Sequence, residues 1–230
     1  MKHAIVLCSG GLDSVTTAHY VKKKLRYGKI ILLFFDYGQR SCLGERNCVK
    51  ICAKEIGADF REIKLPFLKE LSNSLINKNK KHKSLERKNL SNTKEESANW
   101  YVPCRNTVFL SCTLALADSL FLEKKEKYDI FTGFKCEGQE HYPDTTIEYV
   151  RAFNELAKVG CDKFKIYAPL IKKDKEDIVL LAGKLGIDTR KTLSCYTGNT
   201  HCGTCLACLL RKEGFYWANV KDSTNYKIKI

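Results

Sequence analysis

The sequence lacks several features that would assign it to a protein class at first sight. It has no run of about eighteen consecutive apolar residues, so we expect no segment that crosses a membrane. The apolar stretch at residues 4–8 is too short for the core of a signal peptide, and no small-residue cleavage site follows it. We therefore expect a cytoplasmic protein whose first core strand lies at residues 4–8.

Acidic residues are scarce relative to basic ones. The chain carries 40 Lys and Arg against 26 Asp and Glu, which gives a formal net charge of +14. Such an excess favours polyanionic ligands, either nucleotides or RNA. Because the basic residues are spread along the chain rather than gathered in one segment, the charge alone does not indicate a nucleic-acid-binding protein.

Disulfides are not expected either, although the chain has 12 cysteines. In an intracellular chain we do not expect so many cysteines to form a disulfide framework. Eight of them are scattered through predicted elements, where we expect most to act as small core hydrophobes. These eight are Cys8, Cys42, Cys48, Cys52, Cys104, Cys112, Cys136 and Cys161.

Strand and helix patterns alternate along most of the 230 residues. Strands are predicted at residues 4–8, 29–36, 59–65, 128–133 and 163–168, and helices at residues 14–25, 45–56, 105–122, 145–159 and 174–185. This alternation predicts an α/β fold in which helices cover both faces of a parallel sheet.

Two segments interrupt the alternation. Residues 72–100 are rich in Lys, Asn, Ser and Glu, so we expect an inserted lid or a flexible surface loop rather than core. From about residue 191 the chain becomes rich in Cys and Gly. We predict an α/β domain at residues 1–190, with the insertion at 72–100, and a small metal-binding region at residues 191–230.

The sequence SGGLDS at residues 9–14 joins the first predicted strand to the first helix. Adjacent glycines let backbone N–H groups turn toward an anion, and the helix N-terminus and the hydroxyls of Ser9 and Ser14 add donors. These features predict a nest of pyrophosphate size. The patterns GxxxxGK[ST] and GxGxxG are absent, which excludes a Walker loop and a dinucleotide fingerprint.

Asp13 distinguishes this loop from a simple anion nest. A carboxylate beside bound phosphates is unfavourable unless a cation such as Mg²⁺ lies between them. A Gly-Gly turn in which Asp13 merely caps the helix accounts for the same residues without any ligand. The loop sequence by itself leaves both interpretations open.

Four cysteines lie within fourteen residues near the C-terminus, with the spacing Cys195-x6-Cys202-x2-Cys205-x2-Cys208. Four thiolates complete a tetrahedral shell and leave no open position, which predicts a structural Zn²⁺ site. An iron–sulfur cluster takes the same ligands, and a redox-active Cys-x2-Cys disulfide is a weaker alternative. His201 is surplus to a complete set of four cysteines.

The SGGLDS loop resembles the pyrophosphate loop of the N-type ATP pyrophosphatases, which activate a carboxylate or carbonyl oxygen as an adenylate. The resemblance implies a Rossmann-like parallel sheet, ATP and Mg²⁺. It implies catalytic roles for Asp13, Ser14 and Lys175, although a lysine in a first helical turn is ordinarily just solvated. The implied ATP contacts are Cys8, Ser9, Gly10, Gly11, Leu12, Asp13, Ser14 and Phe35.

Further strings resemble one branch of that superfamily, the 7-cyano-7-deazaguanine synthases, from about residue 3 to about residue 217. They are FDYGQR at 35–40, VPxRNT at 102–107, YPD at 142–144, APLI at 168–171, and LSCY at 193–196 followed by the remaining cysteines and Arg211. The resemblance implies substrate contacts by Arg105, Asn106, Tyr142 and Asp144. Arg105 and Asn106 are equally interpretable as ordinary residues at a helix start.

The resemblance also implies a reaction. ATP activates 7-carboxy-7-deazaguanine, ammonia converts the acyl-adenylate to an amide, and a second adenylation yields the nitrile preQ0, a precursor of queuosine and archaeosine. A homodimer is implied, nucleic acid is not required, and the chain has no room for a glutaminase domain. Ammonia would then come free or from a partner enzyme.

The sequence departs from that family at two places. TTIEY at residues 145–149 stands where the family usually has CRPEF, and KCEGQE at residues 135–140 replaces NxxDxSG. The lost arginine is the natural bidentate partner of a substrate carboxylate. Either another basic residue replaces it or the acid differs, so a ligase for another acid, a tRNA-modifying thiolase and a non-enzymatic zinc-binding RNA module stay open as alternatives.

Overall fold

The structure is a computed structural model that describes residues 2–78, 80, 83–91, 94–135, 142–161 and 163–228. A five-stranded parallel sheet forms its centre. The strands are β1 (His3–Leu7), β2 (Lys29–Asp36), β3 (Asp59–Lys64), β4 (Tyr128–Phe131) and β5 (Ile166–Tyr167), in the order β3-β2-β1-β4-β5. The predicted α/β class and parallel sheet are confirmed.

The strand order reverses at β1, which lies between β2 and β4. His3 pairs with Lys29 on one side and with Tyr128 on the other, and both pairings are parallel. In an open parallel sheet, the crevice at such a reversal, outside the carboxyl ends of the strands, is where ligands bind. The segment that follows β1 therefore lies at the most favoured binding position of the fold.

Helices cover both faces of the sheet. They are α1 (Leu12–Lys23), α2 (Cys42–Ile56), α3 (Phe67–Glu70), α4 (Lys94–Trp100), α5 (Arg105–Lys124), α6 (Ile147–Cys161), α7 (Lys175–Lys184) and α8 (Leu206–Trp217). The helix predicted at residues 45–56 begins earlier, at Cys42. It ends before Gly57, whose φ of +62° favours glycine.

Alternating side chains of the buried strands separate the core into two parts. Ala4 and Val6 pack with α1, α2 and α7 on one face, whereas Ile5 packs with α5, α6 and α8 on the other. This is the expected consequence of a strand whose successive side chains point to opposite faces. Because both faces are covered, the central strands are apolar almost throughout.

The segment 72–100 contributes to the core, which corrects the expectation of a surface loop for its described residues. Ile76, Leu85 and Trp100 are buried within the core on the α5 face of the sheet. The segment is also anchored by hydrogen bonds: the Leu85 amide donates to the Thr204 carbonyl over 3.0 Å, and Asn77 Nδ2 donates to the Tyr37 carbonyl over 2.9 Å. Residues 79, 81–82 and 92–93 lie outside the described residues.

The C-terminal region shares the core of the sheet domain rather than packing as a separate appendage. Arg211 of α8 is completely buried and donates hydrogen bonds to the Thr189 carbonyl and to the side chains of Thr192, Ser194 and Thr224. A buried guanidinium is tolerated only when its donors are satisfied. Arg211 therefore fastens both the segment that precedes the cysteines and the C-terminal tail to α8.

Within the described ranges, none of the helices combines the length and the apolar character that crossing a membrane requires.

The two tryptophans allow a test of whether the 72–100 segment is core. Trp100 is 1% exposed and Trp217 is 64% exposed. We expect Trp100→Ala to lower the free energy of unfolding by about 3–5 kcal/mol, because a large buried ring leaves a cavity. Urea denaturation followed by circular dichroism measures the change, with Trp217→Ala as the matched control. Equal and small effects of the two substitutions would contradict a core role for this segment.

Candidate active site

The pyrophosphate loop at residues 9–14 begins directly after β1 and is held by its own polar groups. The Ser9 amide donates to Ser14 Oγ over 3.2 Å, and Ser14 Oγ donates to the Gly11 carbonyl over 3.1 Å. Gly10 has a φ of +74°, and a Cβ there would lie 2.5 Å from the Glu45 carbonyl oxygen of α2. Only glycine fits this turn, because both the backbone conformation and the close approach of α2 exclude a side chain.

Asp13 and Lys175 meet beside this loop, each in the first turn of its helix. Lys175 Nζ lies 2.9 and 2.8 Å from the two Asp13 carboxylate oxygens. The side chains are 16% and 25% exposed, so the pair is largely shielded from water. In this structure the cation beside the Asp13 carboxylate is therefore the Lys175 ammonium, and the three predicted catalytic residues lie together.

A cavity of about 270 Å³ extends from the loop across the carboxyl ends of β1, β2 and β4. The predicted ATP contacts Cys8, Ser9, Gly11, Leu12, Asp13, Ser14 and Phe35 line it, together with Lys175. Gly10 is turned toward α2 and is not part of the lining. Aromatic and polar residues complete the lining, namely Tyr37, Gln39, Ser41, Glu45, Arg105, Asn106, Phe109, Ser194 and Tyr196.

Arg105 supplies a further positive charge to the cavity lining. Its Nη1 donates to the Tyr37 hydroxyl over 3.2 Å, and its guanidinium lies against the rings of Tyr37 and Phe109. Arg105 Nε is buried and finds no hydrogen-bond partner among the residues that the structure describes. Burial raises the pKa of Tyr37 to about 12, so its hydroxyl stays protonated. Arg105 thus retains donor capacity inside the cavity.

Of the remaining predicted substrate residues, Asn106 lines the cavity, whereas Tyr142 and Asp144 do not. Asp144 Oδ2 accepts a hydrogen bond from the Asn106 amide over 3.2 Å, and Asn106 Nδ2 donates to the Asp144 carbonyl. Asp144 therefore caps the start of α5 and is not part of the cavity lining. Tyr142 stacks on Tyr101 with a centroid distance of 5.7 Å and also lies outside the lining. Residues 136–141, with Cys136 and most of the altered loop, lie outside the described residues.

Glu45 lines the cavity although no sequence motif indicated it. Ser41 Oγ donates to its Oε1 over 2.6 Å, and Gln39 Nε2 donates to its Oε2 over 2.9 Å. Burial raises the pKa of the Glu45 carboxyl, whereas these two hydrogen bonds oppose that rise. The only signal in the sequence is position: Glu45 lies in the first turn of the helix that follows the carboxyl end of β2.

The cysteine-rich segment borders the same cavity. The Leu193 amide donates to the Gly10 carbonyl over 2.9 Å, and Leu193, Ser194 and Tyr196 are part of the lining. The pyrophosphate loop therefore rests on the residues that lead into the cysteine cluster. The loop and this segment lie about 180 residues apart in the sequence, and the fold brings them together.

The predicted metal ligands converge. The sulfur atoms of Cys195, Cys202, Cys205 and Cys208 all lie within 4.8 Å of one another, and three of the four residues are buried. The Cys202 sulfur accepts backbone N–H groups from Thr204 and Cys205 at 3.4 and 3.2 Å, and the Cys195 sulfur accepts the Cys202 amide. Backbone donors of this kind stabilise thiolates.

This donor set fits a tetrahedral metal ion with no open position. Hydrogen bonds from the neighbouring thiols, that of Cys195 first, hold the pKa of Cys202 well below its usual range. His201 is engaged elsewhere, because its Nε2 accepts the Ser194 amide over 3.1 Å. The expectation that His201 is surplus to the cluster agrees with this arrangement.

Comparisons with known proteins agree on the whole length of the chain. A family model described as "Queuosine biosynthesis protein QueC" matches residues 3–219. Among solved structures, a 4-thiouridine synthetase in complex with RNA and bound ATP superimposes with a TM-score of 0.52 at 16% identity. That match covers 94% of this chain but only 53% of the synthetase, and at this identity it shows a common fold only.

Curated relatives cover both chains almost completely. The 7-cyano-7-deazaguanine synthase of Methanocaldococcus jannaschii is 37% identical over 97% of this chain and 98% of its own. Those of Methanopyrus kandleri and Rickettsia felis are 35% and 33% identical, each over 98% of this chain and at least 99% of its own. The chain belongs to the QueC family of queuosine biosynthesis proteins.

Proposed function

We propose that this protein is a 7-cyano-7-deazaguanine synthase, an ATP-dependent ligase that converts 7-carboxy-7-deazaguanine and ammonia to preQ0. The observation that carries the proposal is a cavity lined both by the pyrophosphate loop and by Arg105 with aromatic side chains, in a chain that the family model matches over residues 3–219. The likeness to the thiouridine synthetase does not favour an RNA thiolase, because all four clustered cysteines are gathered at one metal site.

The loop end of the cavity would bind the phosphates of ATP. Backbone N–H groups of the loop at the start of α1, together with the hydroxyls of Ser9 and Ser14, would donate to the anion. Asp13 would hold Mg²⁺, which supplies charge neutralisation to the phosphate oxygens when it is bound. Lys175 would then leave Asp13 and contact the phosphates. Both residues of the ion pair would thus bind the nucleotide, Asp13 through Mg²⁺ and Lys175 directly.

The chemistry needs positioning and charge rather than a protein nucleophile. A substrate carboxylate oxygen attacks the α-phosphorus of ATP, and the bond to pyrophosphate breaks while the loop holds the leaving group. Ammonia adds to the acyl carbon and AMP departs, which leaves the amide. The amide oxygen attacks the α-phosphorus of a second ATP, and a second pyrophosphate leaves. Loss of AMP, which carries away that oxygen, and of the two amide protons then gives the nitrile.

Arg105 is the proposed partner of the substrate carboxylate. It provides the basic residue that the altered segment at 145–149 lacks, and its buried Nε has donor capacity to spare. We also propose Asn106, Tyr142 and Asp144 as substrate-binding residues. Asp144 would act indirectly, through its hydrogen bonds to Asn106. For the N–H edge of the deazaguanine ring we propose Glu45, because its carboxylate borders the cavity directly.

Other properties belong to the proposal as well. Zn²⁺ in the four-cysteine site would stabilise the C-terminal region, since four thiolates suit it.

The eleven cysteines that the structure describes are all free, which supports a reducing, cytoplasmic location. Leu122, Leu156 and Val159 are exposed on α5 and α6, and their exposure supports a homodimer in which a second subunit would cover them. Free ammonia or a partner's ammonia would supply the nitrogen.

The direct test is incubation with Mg-ATP, an ammonium salt and 7-carboxy-7-deazaguanine, with products followed by mass spectrometry. We expect the nitrile together with AMP and pyrophosphate. If a folded, metal-loaded protein instead leaves both ATP and the acid unchanged, the substrate assignment is wrong, and a different acid has to be sought.

Lys175→Ala should lower kcat/KM for ATP by about 100- to 1000-fold, because a cation that faces the transferring phosphates is removed. Pyrophosphate release with saturating acid measures the effect. Lys172→Ala is the control, since Lys172 is exposed and precedes the same helix. An equal, small loss in both variants would exclude a phosphate-binding role for Lys175.

Glu45→Gln should raise KM for 7-carboxy-7-deazaguanine about 10- to 100-fold, the cost of losing a charged acceptor opposite ring N–H groups. KM for ATP should stay unchanged. The variant should also lose discrimination against an analogue without the 2-amino group, which a purely structural role would not produce. Glu148→Gln, at an exposed position of α6, serves as the control.

Elemental analysis should find one zinc ion per chain in the purified protein. Cys208→Ser should abolish stoichiometric zinc and lower the melting temperature, because the ion holds the start of α8 in place. Cys161→Ser, at a cysteine remote from the cluster in sequence, should keep both. Iron with a visible charge-transfer band in place of zinc would contradict the assignment.

A further inference from the structure

Helices α7 and α8 touch at a glycine. Gly214 lies in the last turn of α8, where it is buried against Lys175 of α7. A Cβ built on Gly214 would lie 2.2 Å from Lys175 Cγ, 3.0 Å from Lys175 Cβ and 3.3 Å from the Lys175 carbonyl carbon. These atoms are the base of the side chain and the backbone, not a flexible tip that could move aside.

Helix conformation does not require glycine at this position. Gly214 is not among the glycines with positive φ, and inside a helix glycine costs about 1 kcal/mol relative to alanine. The lack of room for a Cβ therefore explains why residue 214 is a glycine. The space is filled by the stem of Lys175, the side chain whose Nζ contacts Asp13 beside the pyrophosphate loop.

We propose that Gly214 is a positioning residue that sets the path of the Lys175 side chain toward the pyrophosphate loop. A lysine stem is long and flexible, so its ammonium reaches one location reproducibly only when the stem is confined. The notch at Gly214 confines the stem at its first two carbons. This inference rests on the proposed ATP-binding role of Lys175.

The notch also connects Lys175 to the cysteine cluster. Cys205 precedes the first turn of α8, Cys208 lies in that turn, and Gly214 lies six residues further along the same helix. A helix transmits displacement along its axis because its backbone is hydrogen-bonded throughout. A displacement of α8 at the cysteine cluster would therefore change the space that Gly214 leaves for the Lys175 side chain.

Gly214→Ala is the test, with Gly183→Ala as the matched control. Gly183 lies in α7, and a Cβ there meets nothing within 4 Å. We expect Gly214→Ala to lower kcat/KM for ATP about 10- to 100-fold through displacement of the ammonium by about an ångström. KM for the acid should stay constant, and Gly183→Ala should leave all of these parameters unchanged.

A double-mutant cycle separates positioning from general damage. If Gly214 acts through the Lys175 ammonium, Gly214→Ala should have almost no further effect on kcat/KM for ATP in a Lys175→Ala background. Full additivity of the two losses would overturn the proposal. Unfolding of each variant by urea shows whether all four proteins are folded at the assay temperature.

A readout that needs no turnover distinguishes failure of this inference from failure of the proposed function. Lys175 is 16% exposed and paired with Asp13, so acylation of its amine by a water-soluble reagent should be slow. Gly214→Ala should accelerate labelling of Lys175 several-fold, with exposed Lys172 as the internal reference in peptide mass spectrometry. Unchanged labelling would overturn the positioning role, whatever the enzyme proves to adenylate.

Discussion

The ion pair between Asp13 and Lys175 is the interaction on which the arrangement of the candidate site depends. It joins the first turn of α1 to the first turn of α7, two helices that reach the same edge of the sheet from opposite ends of the chain. Because the two side chains are only 16% and 25% exposed, water screens their attraction little, and the pair fixes where both charges lie. It places an anion and a cation at one mouth of the cavity, ready for a metal ion and a phosphate.

The C-terminal region completes this site instead of standing beside it. Leu193 supports Gly10 through a backbone hydrogen bond, and Ser194 and Tyr196 line the cavity. Buried Arg211 ties the same segment to α8, and α8 in turn packs on Lys175. A metal ion held by four thiolates at the start of α8 would therefore stabilise the nucleotide end of the cavity as well as the local fold.

Much of this organisation could be predicted from the sequence, for identifiable reasons. Buried parallel strands are apolar throughout and the loop at residues 9–14 is short, so the sheet, the pyrophosphate loop and the four clustered cysteines follow from local patterns. Ile76, Leu85 and Trp100 could not be recognised as core, because they follow no helix or strand period in a segment rich in Lys, Asn, Ser and Glu. Glu45 could not be assigned to the cavity, since its role depends on β2 lying beside β1.

The division of tasks within the cavity follows from its polarity. The loop offers N–H groups, hydroxyls and one ion pair, which suit phosphates, and the same cavity is lined by Arg105 and Glu45 together with the rings of Tyr37 and Phe109. A planar heterocycle that carries both a carboxylate and N–H donors needs such opposite charges at separate points. Ser41 and Gln39 already donate to the Glu45 carboxylate, so the protein holds it ready as a further acceptor. An aromatic acid with ring N–H groups would use both charges of the lining, whereas a simple aliphatic acid would use only that of Arg105.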